Sequence, residues 1–395
     1  MARTASQWSQ APSLAPEDYV DNRIYTDSAL FSEEQQRIFR KVWLFACHES
    51  EISEAYSYRT MVRAGTPIFL IRGTDGAVRS FVNVCPHRGA TLLRAHRGTA
   101  PFIQCMFHQW TFDSYGACTG ITRPSGYVQA GLHTGQCGLR EVRTESRLGL
   151  LFVSFDDEAI PLKEFLGSAL DAFEPALTQN SLELIHFNRS NVGANWKHYQ
   201  ETNLDLYHEQ MHFASRRTSM KSAAYHQRRW RLFDNAHGML EPLTVDYGRY
   251  GNWESRHRNV LKGLEPDQFF VVSLFPNLTL IARSTILRID TTIPVAPNRS
   301  VVEWRGLGDA LDDEVTRESR IRQYHQFWGP FGRNLPEDIN AIESVERSVR
   351  NGSSSYSLMA RHESLLANDD IMMRRFYSEW GRLMRRQSNR PFSDG

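Results

Sequence analysis

Two textures of apolar and polar positions divide the chain. From about 58 to 155, short β-rich runs (TPIFLIRG, RSFVNVC, PFIQCMF, WTFDSYG, LGLLFVSF) alternate with turns of Gly, Pro and Asp. Such runs, bounded by chain breakers, predict a small antiparallel β domain built of hairpins. Ahead of it, Ile38, Phe39, Val42 and Trp43 fall at helical spacing behind Ser32, with Glu33, Glu34 and Gln35 next to the serine. That pattern predicts a capped helix over about 32–44. The segment DEAIPLKEFL, with Pro161, marks the exit from the β domain. Beyond it, helical spacing recurs at about 163–177, 195–212, 312–327, 336–350 and 367–386, and strand-like runs lie at 268–275, 278–293 and 300–308. A mixed α+β domain of more than 200 residues is expected there. Residues 1–20, rich in Ser, Ala, Pro and Gln, read as a loose arm, and NGSSSYS at 351–357 as an exposed loop.

Composition narrows the class without naming it. With 41% apolar and 23% charged residues in a chain of 395, collagen-like, coiled-coil and wholly disordered readings fail. A net charge of +1, from 46 basic and 45 acidic residues, provides no global attraction to nucleic acid or to an anionic membrane. No apolar run approaches the roughly 18–20 residues of a membrane span, and the first residues lack the apolar core of a secretory signal. The expectation is a cytoplasmic protein that binds neither nucleic acid nor membrane. Five cysteines (Cys47, Cys85, Cys105, Cys118, Cys137) are too few and too odd in number for a disulfide scaffold in a chain this long, and all lie between 47 and 137. Cys47, Cys118 and Cys137 have no histidine in register and read as ordinary thiols.

The other two do have such a partner. CPHRG at 85–89 and CMFH at 105–108 each bring one Cys and one His on a loop of the β domain. Cys85, His87, Cys105 and His108 therefore supply two thiolates and two imidazoles. Zinc could take such a set, but zinc ribbons and fingers pair like with like. One Cys and one His per loop suits a [2Fe–2S] centre with two thiolates on one iron and two imidazoles on the other. Gly89 would let the loop backbone approach the sulfides. The segment FVNVCPHRGATL…CMFHQWTFD resembles the Rieske domain of the Rieske non-haem iron ring-hydroxylating oxygenases, in their large (α) subunit.

A second constellation lies in NWKHYQETNLDLYHEQMH at 195–212. Taken alone, residues 208–212 match H-E-x-x-H, in which two histidines one helical turn apart hold zinc and Glu209 is the general base of a peptidase. The longer zinc motif would continue with Gly and His, where the chain has Ser215 and Thr218. No Glu follows Glu209 until Glu241 to act as a third ligand. The alternative reading uses the residues before the histidines: N-W-K…E-T-N-L-D-L-Y-H…H resembles the mononuclear iron segment of the same oxygenases. There, two histidines and a later carboxylate form a facial triad that leaves the opposite positions open for O₂. The resemblance implies His208 and His212 as ligands, although three residues separate them where four are commoner in the family. It implies Asp205 as the acid that bonds the first iron histidine and bridges electron transfer from His108 of a neighbouring subunit. In WGPFGRNLPEDINAIESVE at 328–346, it implies Asp338, chosen over Glu337, as the third ligand. Acids behind Pro336 would also suit the first turn of a helix.

The resemblance spans nearly the whole chain, from YTDSALFSEEQQRIFRKVWLFACHESEI to the acid at 338. It implies an α+β architecture: a small antiparallel β Rieske [2Fe–2S] domain at 40–158, and a catalytic domain from 1–39 and 159–395 with a helix-covered antiparallel sheet of helix-grip type. It also implies a terminal oxygenase that hydroxylates an aromatic substrate with O₂. Electrons come from NAD(P)H through a reductase, with or without a ferredoxin, to the cluster and then to mononuclear Fe(II). A trimer or an α3β3 hexamer follows from the family, and whether a small β subunit is present is not written in this chain. Candidate substrate contacts are Asn203, Leu204, Leu206, Met211, Arg283 and Asn334. Arg283, in LTLIARSTILRI, is an unusual charge on an otherwise apolar strand. It could clamp an aromatic carboxylate, or pair with an acid or point to solvent. A zinc peptidase and a pure electron carrier are the competing classes.

Overall fold

Breakers placed between β-branched and aromatic runs close the residues from Phe39 to Leu162 into two antiparallel sheets, in a computed structural model that describes residues 9–205, 208–215, 228–244, 259–266, 268–329, 332, 334–362 and 369–392. The larger sheet contains β1 (Leu44–His48), β2 (Ser57–Arg63), β3 (Thr66–Arg72), β4 (Val78–Val82), β5 (Arg97–Thr99), β9 (Glu141–Arg147) and β10 (Leu150–Ser154), in the order β1-β10-β9-β4-β3-β2-β5. The smaller contains β6 (Ile103–Gln104), β7 (Thr111–Phe112) and β8 (Cys118–Gly120) in sequence order. Two hairpins turn on two residues, Ala64-Gly65 and Leu148-Gly149, with φ of 47°, 68°, 54° and 78°. Positive φ at both central positions matches the twist of the flanking strands, and glycine relieves the second. Phe69, Ile71, Phe81, Trp110 and Phe112 pack into one core together with Cys85 and Cys105.

The second compact unit joins the chain up to Ile38 to everything after Lys163. Its sheet has β11 (Leu182–Val192), β12 (Trp230–Leu232), β13 (Gly238–Thr244), β14 (Gln268–Leu274), β15 (Leu278–Arg283), β16 (Ile286–Ala296) and β17 (Arg299–Asp309). All pairings are antiparallel, in the order β11-β17-β16-β15-β14-β13-β12. β14 to β17 are buried at almost every position, so both faces are covered. On one face lies α4 (Glu314–Trp328). Its Tyr324 hydroxyl donates to the Leu307 carbonyl at 3.0 Å, across Gly306, where a Cβ would come within 2.5 Å of the tyrosine ring. The same face carries α2 (Trp196–Thr202), the second helix to matter here after α1 (Ser28–Glu34). Tyr199 accepts a 2.8 Å bond from Trp304 Nε1, and Gln200 donates to Ser273 at 3.0 Å. A fully buried carboxylate fixes the start of α2: Glu34 accepts from Trp196 Nε1 at 2.8 Å, Trp380 Nε1 at 2.7 Å and Lys197 Nζ at 2.6 Å. Among the described residues, no helix is long and apolar enough to cross a membrane.

Several expected elements are shorter than their periodicity. The expected helix at 32–44 begins four residues earlier, because Asp27 rather than Ser32 caps it, accepting from Leu30 N at 2.8 Å. It then passes through a wide turn at Gln35–Phe39 and gives way to β1. The expected helix at 163–177 is two short ones, Leu162–Leu166 and Glu174–Thr178, separated after Gly167 at φ 52°. The run at 278–293 is a hairpin, turned at Ser284 with φ 39°. The helix expected over 195–212 is also two: α2, and α3 at Glu209–Ser215. Between them the Asp205 carboxylate accepts the backbone N–H of His208 at 3.3 Å.

Candidate active site

Two loops of the smaller unit repeat one turn. Cys85 N–H donates to Ala90 O at 2.8 Å and Gly89 N–H to Cys85 O at 2.9 Å; in the other loop, Cys105 N–H donates to Trp110 O and Gln109 N–H to Cys105 O, both at 2.9 Å. Gly89 sits at φ 76° and Gln109 at φ 59°. A Cβ at Gly89 would meet no protein atom within 4 Å, so the backbone angle, not crowding by the chain, is what favours glycine there. The turns bring both thiols into the core and leave both imidazoles half-buried above them, with ring centroids 4.5 Å apart. His87 stacks on Trp110 at 4.5 Å and 5°, and its Nε2 lies 3.1 Å from the Tyr127 hydroxyl. Its Nδ1 is buried without a hydrogen-bond partner. Burial, then the neighbouring His108, pushes His87 down toward the neutral ring a metal needs. Burial pushes the Cys85 thiol up, which only a bound cation would reverse. Two paired Cys–His loops with an orphaned imidazole nitrogen fit a Rieske cluster.

In the larger unit, α3 faces the first turn of α5 (Leu335–Arg350). Pro336 lies in that turn, and Glu337 and Asp338 follow it, where the helix dipole favours acids. Asp338 Oδ1 lies 3.1 Å from His212 Nε2 and 3.6 Å from His208 Nε2, and ligand atoms of all three residues fall within 4.8 Å of one another. That oxygen is buried and makes no hydrogen bond. Burial pushes the Asp338 carboxyl up, but the two imidazoles outweigh it and hold it at about 2. His208 is pushed down by burial and lifted further by Asp338, to about 9. Two imidazoles and a carboxylate converging on one point, with no geometry for a hydrogen bond, fit a divalent metal of the two-His, one-carboxylate kind. The back of each ring is also held. Glu337 Oε2 is 2.5 Å from His212 Nδ1, and His208 Nδ1 bonds the backbone carbonyl of Asp205. The Asp205 main chain thus bonds the His208 ring, and its carboxylate accepts the His208 backbone N–H.

A cavity opens beside these groups, between α2, α3, the start of α5 and the sheet. Of the expected contacts, Asn203, Arg283 and Asn334 line it. Leu204 is turned into the interior where the helix ends, Met211 lies about 100° around α3 from His212, and Leu206 is outside the described residues. The sheet contributes two rows through its register: Phe269 opposite Arg283, and Val271, Ile281 and Arg288 side by side. Arg288 is locked to Asp290 at its Nε by a 2.6 Å bond, which lifts it above its ordinary value against burial. Arg283 instead lies over the Phe269 ring at 4.5 Å. Sequence reasoning missed Tyr199, Thr202, Phe269 and Arg288 in this wall. Arg288 and Asp290 in ILRIDTT, two charges on one side of an apolar strand, were a readable signal.

Residues 42–132 match the family described as Rieske [2Fe-2S] domain, and residues 178–385 the one described as ring hydroxylating alpha subunit (catalytic domain). The chain belongs to the ring-hydroxylating oxygenase α subunits. It is 44% identical over 391 residues to 2-aminobenzenesulfonate 2,3-dioxygenase subunit alpha of an Alcaligenes species, covering 98% of this chain and 99% of that protein. It is 35% identical to methanesulfonate monooxygenase hydroxylase subunit alpha of Methylosulfonomonas methylovora, over 99% and 97% of the two chains. Naphthalene 1,2-dioxygenase from a Rhodococcus species shares the fold, with a TM-score of 0.78 at 21% identity, over 92% of this chain and 94% of that one. The α subunits of this family are the terminal components of Rieske oxygenase systems, and take electrons from NAD(P)H through a reductase. The zinc peptidase alternative finds no support.

Proposed function

We propose that this chain hydroxylates an aromatic acid, with a sulfonate as the anionic group, and that Arg283 holds that anion. The observation that carries the reading is the placement of a guanidinium in the same cavity as His208, His212 and Asp338. A planar five-donor cation suits the oxygens of a sulfonate or carboxylate. Two relatives at 44% and 35% identity, which cover 98% and 99% of the chain, are named for sulfonates, which favours that anion. Val271 and Ile281 offer the ring an apolar wall.

In this reading Cys85, His87, Cys105 and His108 hold the [2Fe–2S] cluster, and His208, His212 and Asp338 hold Fe(II). When bound, the cluster supplies single electrons and the iron supplies the O₂-activating centre. The chain's own residues then have separate tasks. Asp338 and the two imidazoles occupy one side of the metal position and leave the cavity side for substrate. Arg283 fixes which edge of the ring faces that position. Asp205 is the electron bridge toward a neighbouring subunit's His108, in a cytoplasmic trimer that works with a reductase, with or without a ferredoxin and a small β subunit.

The test is O₂ uptake by the reconstituted system with 2-aminobenzenesulfonate, benzenesulfonate and benzene. Arg283→Met should raise KM for the sulfonates about 10–100-fold, the size of a lost charge-assisted bond. Turnover of benzene in preference to both sulfonates would refute the anion reading. Three irons and two sulfides per chain, with a Rieske signal after reduction, would check the cofactors.

A further inference from the structure

The glutamate of the H-E-x-x-H segment has no role in the metal site. Glu209 lines the cavity between the two histidines, and its side chain is only 13% exposed. Its Oε2 is buried with no hydrogen-bond partner. Glu209 pairs electrostatically with Arg228, whose Nη2 is 3.7 Å away, an ion pair too long for a hydrogen bond. A buried carboxylate oxygen left without a donor is costly, and in a cavity that accepts a ligand the missing donor can arrive with that ligand. Arg228 and Arg283 both face the Phe269 ring, at 5.4 and 4.5 Å. The wall of the cavity therefore presents cations at Arg283 and Arg288 and, besides the metal-facing Asp338, an anionic acceptor at Glu209. A substrate that carried only its acid group would leave Glu209 Oε2 without a hydrogen-bond donor. An acid that also carries an aromatic N–H donor satisfies both.

We infer that Glu209 is a specificity-determining residue that accepts a hydrogen bond from an amino substituent on the aromatic acid. This rests on the reading above that the cavity takes an aromatic acid, and adds the second group it recognises. No bond is made or broken at Glu209. It orients the ring by a second point of attachment, so that the anion at Arg283 and the amine at Glu209 together select which ring edge faces the metal position. Sites built around a buried acceptor reject analogues that lack the donor, because the acceptor is then desolvated for nothing.

The test compares 2-aminobenzenesulfonate with 2-methylbenzenesulfonate, which has nearly the same shape and no donor. Both kcat/KM and the anaerobic dissociation constant, read from the change in the holoenzyme's absorption spectrum, are measured. The wild type should favour the amino compound about 10–100-fold by both measures, as for a bond to a charged acceptor. In Glu209→Met the ratio should fall to within threefold of unity, and Glu209→Gln, whose amide oxygen still accepts, should lie between. Taking a ratio within each variant cancels differences in iron content or active fraction. A wild-type ratio near one overturns the inference while leaving the aromatic-acid reading intact, as does an unchanged ratio in Glu209→Met. Absence of binding or turnover for both compounds overturns the aromatic-acid reading and this inference with it.

Discussion

Replacing Glu337 by alanine should loosen the mononuclear metal without touching any of its ligands. Glu337 Oε2 sits 2.5 Å from His212 Nδ1, which fixes the proton on that nitrogen and presents Nε2 to the point that Asp338 Oδ1 also faces. Hydrogen bonds to charged groups contribute about 1.5–3 kcal/mol, and carboxylates behind metal-bound histidines are worth 10–100-fold in affinity. Glu337 is 26% exposed, so solvent screening places the effect toward the lower end, about 1.5–2 kcal/mol or roughly 10–30-fold. Glu337→Gln keeps an acceptor and loses the charge, and should cost about threefold. The assay is anaerobic titration of metal-stripped protein with Co(II) against a competing chelator. The Rieske signal of the same sample checks that the protein is folded. An affinity within twofold of wild type in Glu337→Ala would show that the bond does not position His212, and the argument would fail.

Three further outcomes follow from other contacts. Lys197→Met strands the buried Glu34, and should destabilise by about 3–5 kcal/mol, matching the 1.36 × (7 − 4.3) ≈ 3.7 kcal/mol needed to protonate a free glutamate at pH 7; chemical denaturation reads the loss, and Lys197→Met with Glu34→Leu should recover much of it. In metal-free protein, His208 is lifted to about 9 by Asp338, itself held at about 2, so that ion pair stabilises fully between about pH 4 and 6.5 and fades as pH rises through 9. Because a metal needs the bare imidazole, apparent Co(II) affinity should climb about tenfold per pH unit between 7 and 9 and then level; a flat profile there would contradict the assignment. Tyr127→Phe removes the acceptor 3.1 Å from His87 Nε2, which would stabilise the more acidic imidazole of the oxidised cluster, so the cluster potential should rise and the pH at which it begins to fall should move up, both measurable by voltammetry.

How much of this could be read in the sequence depended on how far apart the partners lie. The cluster loops were legible because each is a local device: a Cys, a His and a turn, with the second copy 20 residues on. The turn itself was not legible in the second loop, since Gln109 occupies the left-handed position that Gly89 holds in the first. The metal triad was half legible. His208 and His212 are neighbours in the chain, but Asp338 and Glu337 differ only in which way a helix start is turned, and the sequence favoured the former through resemblance alone. In the structure, Asp338 faces both Nε2 atoms and Glu337 the back of one ring. The cavity wall was least legible. Phe269, Val271, Ile281 and Arg288 come together only through strand register, and apolar runs buried on both faces conceal which alternate residues point where. Asp205 shows how a local rule can defeat periodicity. The apolar spacing over 195–212 is helical throughout, yet one helix ends at Thr202 and the next begins at Glu209, with the Asp205 carboxylate between them bonding the His208 backbone N–H. That break lets His208 Nδ1 reach a main-chain carbonyl and places Glu209 in the cavity, so a five-residue pattern that resembles a peptidase motif becomes two metal-facing histidines around one acceptor for substrate.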